Sequence, residues 1–184
     1  MNRFLEEYKK HEINLWGITV ENEPVEGQNA KYTFNCLNLT APIERDFVKM
    51  NLGPTLEKAG YTSDKFKLMV YDDNANDLQS WADTILADKD AAKYVSGIAY
   101  HWYGNHKMSG FPDTVLNAVH QKHPHVFTLN SEACHLEGAG NGRWDFGEHY
   151  AYDIIRVSIN YLQNAIIIRK YSIFFYKRIF YINF

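Results

Sequence analysis

The chain contains, near its start, the stretch Ile13-Asn14-Leu15-Trp16-Gly17-Ile18-Thr19-Val20-Glu21-Asn22-Glu23-Pro24, which decides the fold. Its first eight residues are mostly apolar, as expected of a parallel strand that is covered on both faces. A second apolar run, Val126 to Leu129, leads in the same way into Asn130-Ser131-Glu132-Ala133-Cys134. Ligand sites in parallel α/β folds lie at the carboxyl ends of the strands. The two stretches therefore predict carboxylates that meet at one end of a parallel sheet.

Two carboxylates that face one cavity are the equipment for hydrolysis of a glycosidic bond. One carboxyl acts as acid and base, and the other acts as nucleophile. Glu132 is one candidate. Glu21 and Glu23 share strand parity, so the period of the strand alone leaves open which of them is the other.

Further apolar runs alternate with helical patterns along the chain, and this alternation predicts βα units with a parallel sheet. We expect Thr40 to cap the second helix and Glu44 to lie favourably at the positive end of that helix. Every predicted strand ends in polar residues, and no Gly-x-Gly-x-x-Gly follows a strand, which favours a partial (β/α)8 barrel of the α/β class over a dinucleotide-binding sheet. Strands are predicted over 13–20, 66–71, 95–100 and 126–129, and helices over 3–11, 40–56, 78–87, 90–94, 112–122 and from about 146.

The length of 184 residues is enough for one domain with its own core. The formal net charge is −3, which argues against a nucleic-acid partner. Eight histidines would bring the charge to +5 if all were protonated, so the chain could be attracted to an anionic lipid surface in an acidic compartment. Aromatic residues make up 15% of the chain, a surplus that suits either sugar binding or a well-filled core.

Neither a metal nor a cofactor is expected. Cys36 and Cys134 are the only cysteines, so there is no disulfide framework, and buried free thiols are the commoner case. Asp72-Asp73 could be metal ligands or part of a hydrogen-bond network at a strand end. His120, with His123-Pro124-His125, lacks a known zinc-ligand spacing and is expected at the surface.

The composition changes at Val157. Residues 157–184 contain no Asp, Glu, Gly, Pro or His, and the longest stretch there without Lys or Arg is twelve residues, too short for a membrane-spanning helix. We interpret residues 1–156 as a partial glycosidase barrel and 157–184 as a hydrophobic and basic tail, hypothetically a gene-model artefact that ran past the true exon end.

The combined motifs resemble the glucosylceramidases of glycoside hydrolase family 30, over about residues 3–156. The resemblance rests on several motifs in order: Asn22-Glu23-Pro24, Leu52-Gly53-Pro54-Thr55-Leu56, Ala91-Ala92-Lys93-Tyr94-Val95, His101-Trp102-Tyr103 and Ser131-Glu132-Ala133-Cys134. It implies retaining hydrolysis of the β-glucosyl bond of glucosylceramide, with Glu23 as acid/base and Glu132 as nucleophile at the ends of barrel strands four and seven.

The resemblance also implies the surroundings of this pair. Asn22 is expected to bond the sugar 2-hydroxyl, and Tyr103 to bond Glu132. The partners it implies are glucosylceramide, an anionic membrane surface and a lipid-presenting activator protein, and it implies a lysosomal location, although no signal peptide is visible in the sequence. The substrate-binding residues it implies are Asn22, Tyr32, Phe34, Asn74, His101, Trp102 and Tyr103.

The chain departs from the family in extent. Four strands are predicted, which correspond to barrel strands four to seven of the eight that a barrel needs, and a β-sandwich domain is not expected in this sequence. The pocket is therefore expected to be impaired. A non-catalytic remnant or interaction protein and another retaining β-glycosidase of the same clan remain open as alternatives.

Overall fold

The computed structural model describes residues 2–32, 35–103, 111–134, 143–160, 165–166 and 181–182. Helices and strands alternate along the chain, as the sequence predicts. A 3₁₀ helix, Pro24–Gln28, follows the first strand, and a π-helical segment, Val48–Leu52, joins the second and third helices. The α-helices are α1 (Asn2–Lys10), α2 (Ala41–Phe47), α3 (Gly53–Lys58), α4 (Leu78–Leu86), α5 (Lys89–Ala92), α6 (Phe111–Lys122) and α7 (Trp144–Asn160), and the strands are β1 (Leu15–Thr19), β2 (Lys67–Asn74), β3 (Gly97–His101), β4 (Phe127–Glu132), β5 (Ala165–Ile166) and β6 (Tyr181–Ile182).

Four strands, β1 to β4, lie side by side in chain order and are parallel to their neighbours. Helices connect them, so the four units form an open half-barrel, and the prediction of a partial (β/α) barrel is confirmed. All four carboxyl ends lie at one edge of the sheet, which is where the polar stretches after the strands meet.

Two short strands were not predicted. Among the described residues, β5 extends the sheet beside β4 in the parallel sense, and β6 pairs with β1 in the antiparallel sense. Helix α7 also continues past Arg156 to Asn160. Strands β5 and β6 form because the edge strands of a parallel sheet offer unpaired N–H and C=O groups. Ile-rich and Tyr-rich segments pair readily with such edges.

The sheet separates two apolar regions. Alternate residues of β2 and β3, such as Leu68 and Ile98, are buried against α4 and its neighbours in the main core. The intervening residues Met69 and Ala99 pack with Leu129 in a smaller cluster on the other face. This alternation follows from the period of two along a strand.

The helical connection after β1 begins at the predicted residue and changes pitch before α3. The Thr40 hydroxyl accepts a hydrogen bond from the backbone of Ile43 and caps α2, as predicted. The helical ladder is irregular just before Gly53-Pro54, where Val48–Leu52 forms a π-helical turn immediately before α3. Pro54 has no N–H to donate, so a regular helical ladder cannot pass through it. In the described part of the chain, no helix is both long and apolar enough to cross a membrane.

Candidate active site

Glu23 lies just after β1 in the left-handed backbone region, with φ 52° and ψ 56°. An L-residue other than glycine, Asn or Asp rarely adopts this region without support. Support comes from β2, because the Glu23 N–H donates to the Asp72 carbonyl over 2.9 Å. Pro24 follows as the first residue of the 3₁₀ helix, where its fixed φ is favourable. The side chain of Glu23 is buried.

The end of β2 contains a bulge. Tyr71 and Asp72 both have positive φ, at 76° and 60°, and the pairing with β3 shifts register between Tyr71 and Asp73. Bulges near sheet ends redirect side chains. Asp73 accepts a hydrogen bond from Val25 N over 3.0 Å, and burial raises the pKa of Asp73 to about 6 in spite of this bond. The bulge therefore holds the loop that carries Glu23 at two points.

His101, the last residue of β3, lies between two carboxylates. Its Nδ1 is 3.2 Å from Glu23 Oε1, its Nε2 is 3.2 Å from Asp72 Oδ1, and the ring is fully buried. Burial alone would lower the pKa of the imidazole. The hydrogen bonds and negative charges of Asp72 and Glu23 outweigh that effect and raise the pKa to about 10. His101 is therefore an imidazolium at neutral pH, and both of its N–H groups donate.

Glu132, the last residue of β4, is held by Tyr103. The Tyr103 hydroxyl donates to Glu132 Oε1 over 3.0 Å. The hydroxyl oxygen of Tyr103 is also 2.8 Å from Cys134 Sγ and accepts from Cys134 N over 3.0 Å. Burial, together with the nearby negative charge of Glu132, holds the pKa of the Tyr103 phenol well above its ordinary value. Tyr103 is thus a neutral hydrogen-bond donor at any physiological pH.

Trp102 packs at the side of the site and contacts two other segments. Its indole N–H donates to the Cys134 carbonyl over 3.3 Å, and its ring is stacked on Tyr150 of α7, with centroids 5.1 Å apart and planes 5° apart. The backbone N–H of Trp102 donates to the Glu132 carbonyl over 3.2 Å. Trp102 therefore joins β3, the segment after β4 and α7.

The two candidate carboxylates converge. A carboxylate oxygen of Glu23, a ring nitrogen of His101 and a carboxylate oxygen of Glu132 all lie within 4.8 Å of one another. Carboxyl groups of retaining glycosidases are about 5–5.5 Å apart, whereas those of inverting enzymes are about 6.5–9.5 Å apart to admit a water. The spacing fits attack by one carboxylate on a carbon whose leaving oxygen is protonated by the other.

The same three groups have the ligand types of a transition-metal site, and among the described residues they form the one such cluster. Both imidazole nitrogens of His101 are occupied by hydrogen bonds to carboxylates, however, and the raised pKa keeps both protonated. An imidazolium has no lone pair for a metal. The Asp72-Asp73 pair forms a hydrogen-bond network, which is one of the two possibilities left open by the sequence. The expectation that His123 lies at the surface was wrong, because the ring is buried and pairs with Asp83 over 2.8 Å.

The other predicted site residues differ in position. Asn74 is in register with His101 across β2 and β3, and His101 with Glu132 across β3 and β4, so Asn74 lies level with the site. Asn22 directly precedes Glu23 and is half-buried, and Tyr32 is half-buried in the loop after the 3₁₀ helix. Phe34 lies outside the described residues.

Glu21 is distinguished from Glu23 by its partner. Its carboxylate accepts from Leu37 N over 3.2 Å, and partial burial raises its pKa. The carboxylate of Glu23, by contrast, contacts His101. The contact with His101 therefore makes Glu23 the candidate to pair with Glu132.

Sequence reasoning missed three contributors. Asp72 bonds His101 and accepts from the Ser131 hydroxyl over 2.5 Å, and Tyr150 stacks on Trp102. The sequence shows Asp72 as a strand-end residue, but its contacts depend on a bulge that strand alternation cannot show. Ser131 and Tyr150 carry no local signal for their contacts.

A separate cavity of about 130 Å³ lies near the amino-terminal end of β2, away from the candidate active site. Its lining includes Leu56, Tyr61, Phe66 and Tyr94. None of the candidate active-site residues named above lines it, so it takes no part in the chemistry proposed for the carboxylates.

Comparison with known proteins agrees with this geometry. Residues 1–167 match the family described as the glycosyl hydrolase family 30 TIM-barrel domain. The chain belongs to glycosyl hydrolase family 30. The family match extends past Arg156, so it reaches into the segment that follows the predicted barrel.

Similar curated proteins carry glucosylceramidase names. A Caenorhabditis elegans protein provisionally named glucosylceramidase 2 is 41% identical over 157 residues, which cover 83% of this chain and 29% of that protein. The lysosomal acid glucosylceramidase of Mus musculus is 37% identical over 158 residues, covering 83% of this chain and 30% of the mouse protein. This family 30 chain thus spans less than a third of the length of these relatives.

Solved structures show the same fold. SrfJ from Salmonella typhimurium has a TM-score of 0.73 at 26% identity, covering 90% of this chain and 35% of SrfJ. The endo-β-1,6-glucanase BT3312 has a TM-score of 0.70 at 26% identity, with 90% of this chain and 35% of the glucanase covered. The half-barrel of this family 30 chain therefore superimposes on a part of each of these larger structures.

Proposed function

We propose that this chain carries the catalytic pair of a retaining β-glycosidase, with Glu132 as nucleophile and Glu23 as acid/base. The observation that carries the proposal is the approach of the two carboxylates within 4.8 Å at the carboxyl ends of β1 and β4. That spacing is closer to the range of retaining enzymes than to that of inverting enzymes, so direct attack by the carboxylate on the sugar carbon is favoured.

In the first step, Glu132 attacks the anomeric carbon while Glu23 donates a proton to the glycosidic oxygen, and a glycosyl-enzyme forms. In the second step, Glu23 accepts a proton from a water molecule, which attacks the same carbon and releases Glu132. The Tyr103 hydroxyl, 3.0 Å from Glu132 Oε1, orients the nucleophile. Asn22 bonds the sugar 2-hydroxyl, and Asn74 and His101 line the sugar site beside it.

The proposed substrate is glucosylceramide, which the enzyme cleaves to glucose and ceramide. Support comes from the names of curated relatives at 37–42% identity, all of them glucosylceramidases. The mouse relative is named as lysosomal and acid, which supports a lysosomal location for this chain. An anionic membrane surface and a lipid-presenting activator protein are the partners that such a substrate would require.

A second candidate is a retaining glycosidase with another β-glycosidic substrate. The structural likeness to an endo-β-1,6-glucanase, with a TM-score of 0.70, favours it. The two substrates can be told apart by comparing hydrolysis of glucosylceramide in anionic vesicles with hydrolysis of a β-1,6-linked glucose oligosaccharide. Preference for the oligosaccharide would contradict the lipid substrate and leave the catalytic pair intact.

The proposed domain organisation is a half-barrel over residues 1–156 followed by a tail, 157–184, that takes no part in catalysis. Four described strand ends surround the site, whereas a closed barrel offers eight. We therefore expect slow turnover by the chain alone. Catalysis requires the substrate to be held by several strand ends at once, and an open side admits water.

Trapping the intermediate tests the catalytic pair. An activated 2-deoxy-2-fluoro-β-glucoside should label Glu132, and mass spectrometry of a proteolytic digest should identify the modified peptide. Glu132→Gln should remain unlabelled. A folded chain, as judged by circular dichroism, that gives no label on Glu132 would contradict the proposal and favour the non-catalytic alternative.

A further inference from the structure

Glu44 is a fully buried carboxyl outside the candidate active site. It lies in the first turn of α2 and reaches two donors on other elements. Its Oε1 accepts from the backbone N–H of Tyr71 in β2 over 3.1 Å, and its Oε2 accepts from the Trp81 indole N–H of α4 over 2.5 Å. The carboxyl thus joins α2, β2 and α4.

The position at a helix end does not account for this burial. A carboxylate that stabilises a helix dipole does so from the surface, whereas removing a charge from water is costly unless it is well bonded. Burial raises the pKa of Glu44 to about 7 in spite of both hydrogen bonds. The two donors that Glu44 satisfies therefore indicate its role.

The Tyr71 N–H belongs to the bulge of β2. Tyr71 is the first of the two positive-φ residues, and Asp72 is the second. A buried backbone N–H needs an acceptor, and in a bulge the regular ladder does not supply one to every residue. Glu44 supplies the acceptor for Tyr71. The Tyr71 ring, 5.3 Å from Trp81 between centroids, packs on the same side.

The bulge in turn sets the position of Glu23 from two directions. The Asp72 carbonyl accepts from the Glu23 N–H over 2.9 Å. The Asp72 carboxylate contacts His101, and His101 contacts the Glu23 carboxylate, at 3.2 Å in each case. A shift of the bulge would therefore move the backbone and the side-chain contacts of Glu23 together.

From these contacts we propose that Glu44 is a positioning residue for Glu23, acting through the bulge at Tyr71 and Asp72. The proposal rests on the proposed function only in the role of Glu23 as acid/base. Glu44 itself touches neither substrate nor the reacting atoms. A residue on the helix side of the sheet would thus control the geometry of a group at the strand ends.

The test uses the full 184-residue chain and does not depend on turnover. Glu44→Met keeps the side-chain length and removes the acceptor, and Glu44→Gln keeps one acceptor oxygen for the Tyr71 N–H. Ile85→Val, on the buried face of α4, serves as a control for general loss of stability. Two quantities are measured by NMR: the imidazole pKa of His101, assigned by its absence in His101→Asn, and the exchange rate of the Glu23 amide hydrogen.

In Glu44→Met we expect the His101 pKa to fall by about one unit and the Glu23 amide to exchange at least about tenfold faster, each equivalent to about 1.4 kcal/mol. Glu44→Gln and Ile85→Val should stay close to the parent chain in both quantities. If Glu44→Met is too unstable to measure, Glu44→Asp, one methylene short of Tyr71 N, should move both in the same direction.

Parent-like values in a folded Glu44→Met chain would overturn the proposal, as would equal changes in Ile85→Val. The carboxylates of Asp72, Glu23 and Glu132 surround the His101 imidazole and raise its pKa. The measured pKa of His101 therefore reports how these three carboxylates are arranged around the ring. The NMR test is independent of the Glu132 labelling experiment. Absence of label on Glu132 would count against the proposed function alone, and the positioning role of Glu44 would still be judged by the NMR values.

Discussion

The Tyr103 hydroxyl donates a hydrogen bond to Glu132 Oε1 over 3.0 Å. Tyr103 lies two residues after the end of β3, and Glu132 is the last residue of β4. The same hydroxyl accepts from Cys134 N and contacts the Cys134 thiol, so it has three partners in the segment that carries the candidate nucleophile. One side chain from the segment after β3 therefore contacts both the carboxylate and the chain after β4.

Tyr103→Phe should slow labelling of Glu132 by the fluoroglucoside about 10-fold to 100-fold, because a hydrogen bond to a charged group contributes roughly 1.5–3 kcal/mol. The matched control is Tyr152→Phe, a half-exposed tyrosine of α7. It should label at the parent rate. Equal rates for the two variants would show that Tyr103 does not orient the nucleophile.

Glu23→Gln should discriminate between leaving groups. An activated aryl leaving group needs little protonation, so glycosyl-enzyme formation from an activated aryl glucoside should be retained, whereas hydrolysis of an alkyl glucoside should fall by at least about 100-fold. Glu21→Gln provides the control in the same segment after β1. Its carboxylate bonds Leu37 N, so both reactions should proceed as in the parent. The opposite result would identify Glu21 as the acid/base.

The stability of the chain should decrease as pH rises from acid to alkaline. Burial raises the folded-state pKa of Glu44 from 4.5 to about 7 and that of Asp73 from 3.8 to about 6, and carboxylate partners raise that of His101 from 6.5 to about 10. In each case the folded state holds its proton to higher pH than the unfolded state, so the contribution to stability is complete below the ordinary pKa and is lost through the raised one.

For Glu44 alone the loss between pH 4.5 and 7 is about 3 kcal/mol, at about 1.4 kcal/mol per pKa unit. Urea unfolding at pH 4.5, 6 and 8 should give successively lower free energies of unfolding. Glu44→Gln should flatten the segment between pH 4.5 and 7. A parent chain that became more stable across that interval would refute the assignment.

Replacement of two glycines by alanine should change the free energy of unfolding in opposite directions. A Cβ on Gly53 would lie 2.2 Å from the Tyr94 ring, so Gly53→Ala should lower the free energy of unfolding by about 1–3 kcal/mol. A Cβ on Gly147, within α7, would meet nothing within 4 Å, so Gly147→Ala should raise it by about 0.5–1 kcal/mol. Chemical denaturation measures both, and a loss at Gly147 would be inconsistent with an open helix face there.

Turnover by the chain alone should be far slower than turnover by a version extended with the strands that complete a barrel. The comparison uses one fluorogenic β-glucoside and equal concentrations of folded protein. Glu132→Gln in the extended version should abolish the activity. Fast turnover by the 184-residue chain that survives Glu132→Gln would place the chemistry elsewhere.

Much of the half-barrel could be predicted from the sequence because parallel strands and amphipathic helices leave periodic patterns. Strand and helix positions agree to within a few residues, and Thr40 caps α2 as expected. The convergence of Glu23 and Glu132 followed from the rule that strand ends share one edge. What periodicity cannot supply is the bulge in β2, because positive φ at Tyr71 and Asp72 has no signature in residue type.

Glu44 shows why the remainder escaped prediction. A carboxylate in the first turn of a helix satisfies a local rule, yet its buried partners are 27 and 37 residues away along the chain. The strands β5 and β6 were also missed, since two-residue pairings depend on which edge is available. The proposed boundary at Arg156 stays a prediction, beside a helix that continues to Asn160.

The left-handed backbone at Glu23 has a consequence for evolution. Asn or Gly would occupy φ 52° with less strain, by roughly 1–2 kcal/mol. A lineage released from catalysis would gain stability by drifting to either residue, and one still under selection for turnover could not. Position 23 is thus a point at which activity and robustness oppose each other, and substitutions found there among close relatives would report which pressure acts on them.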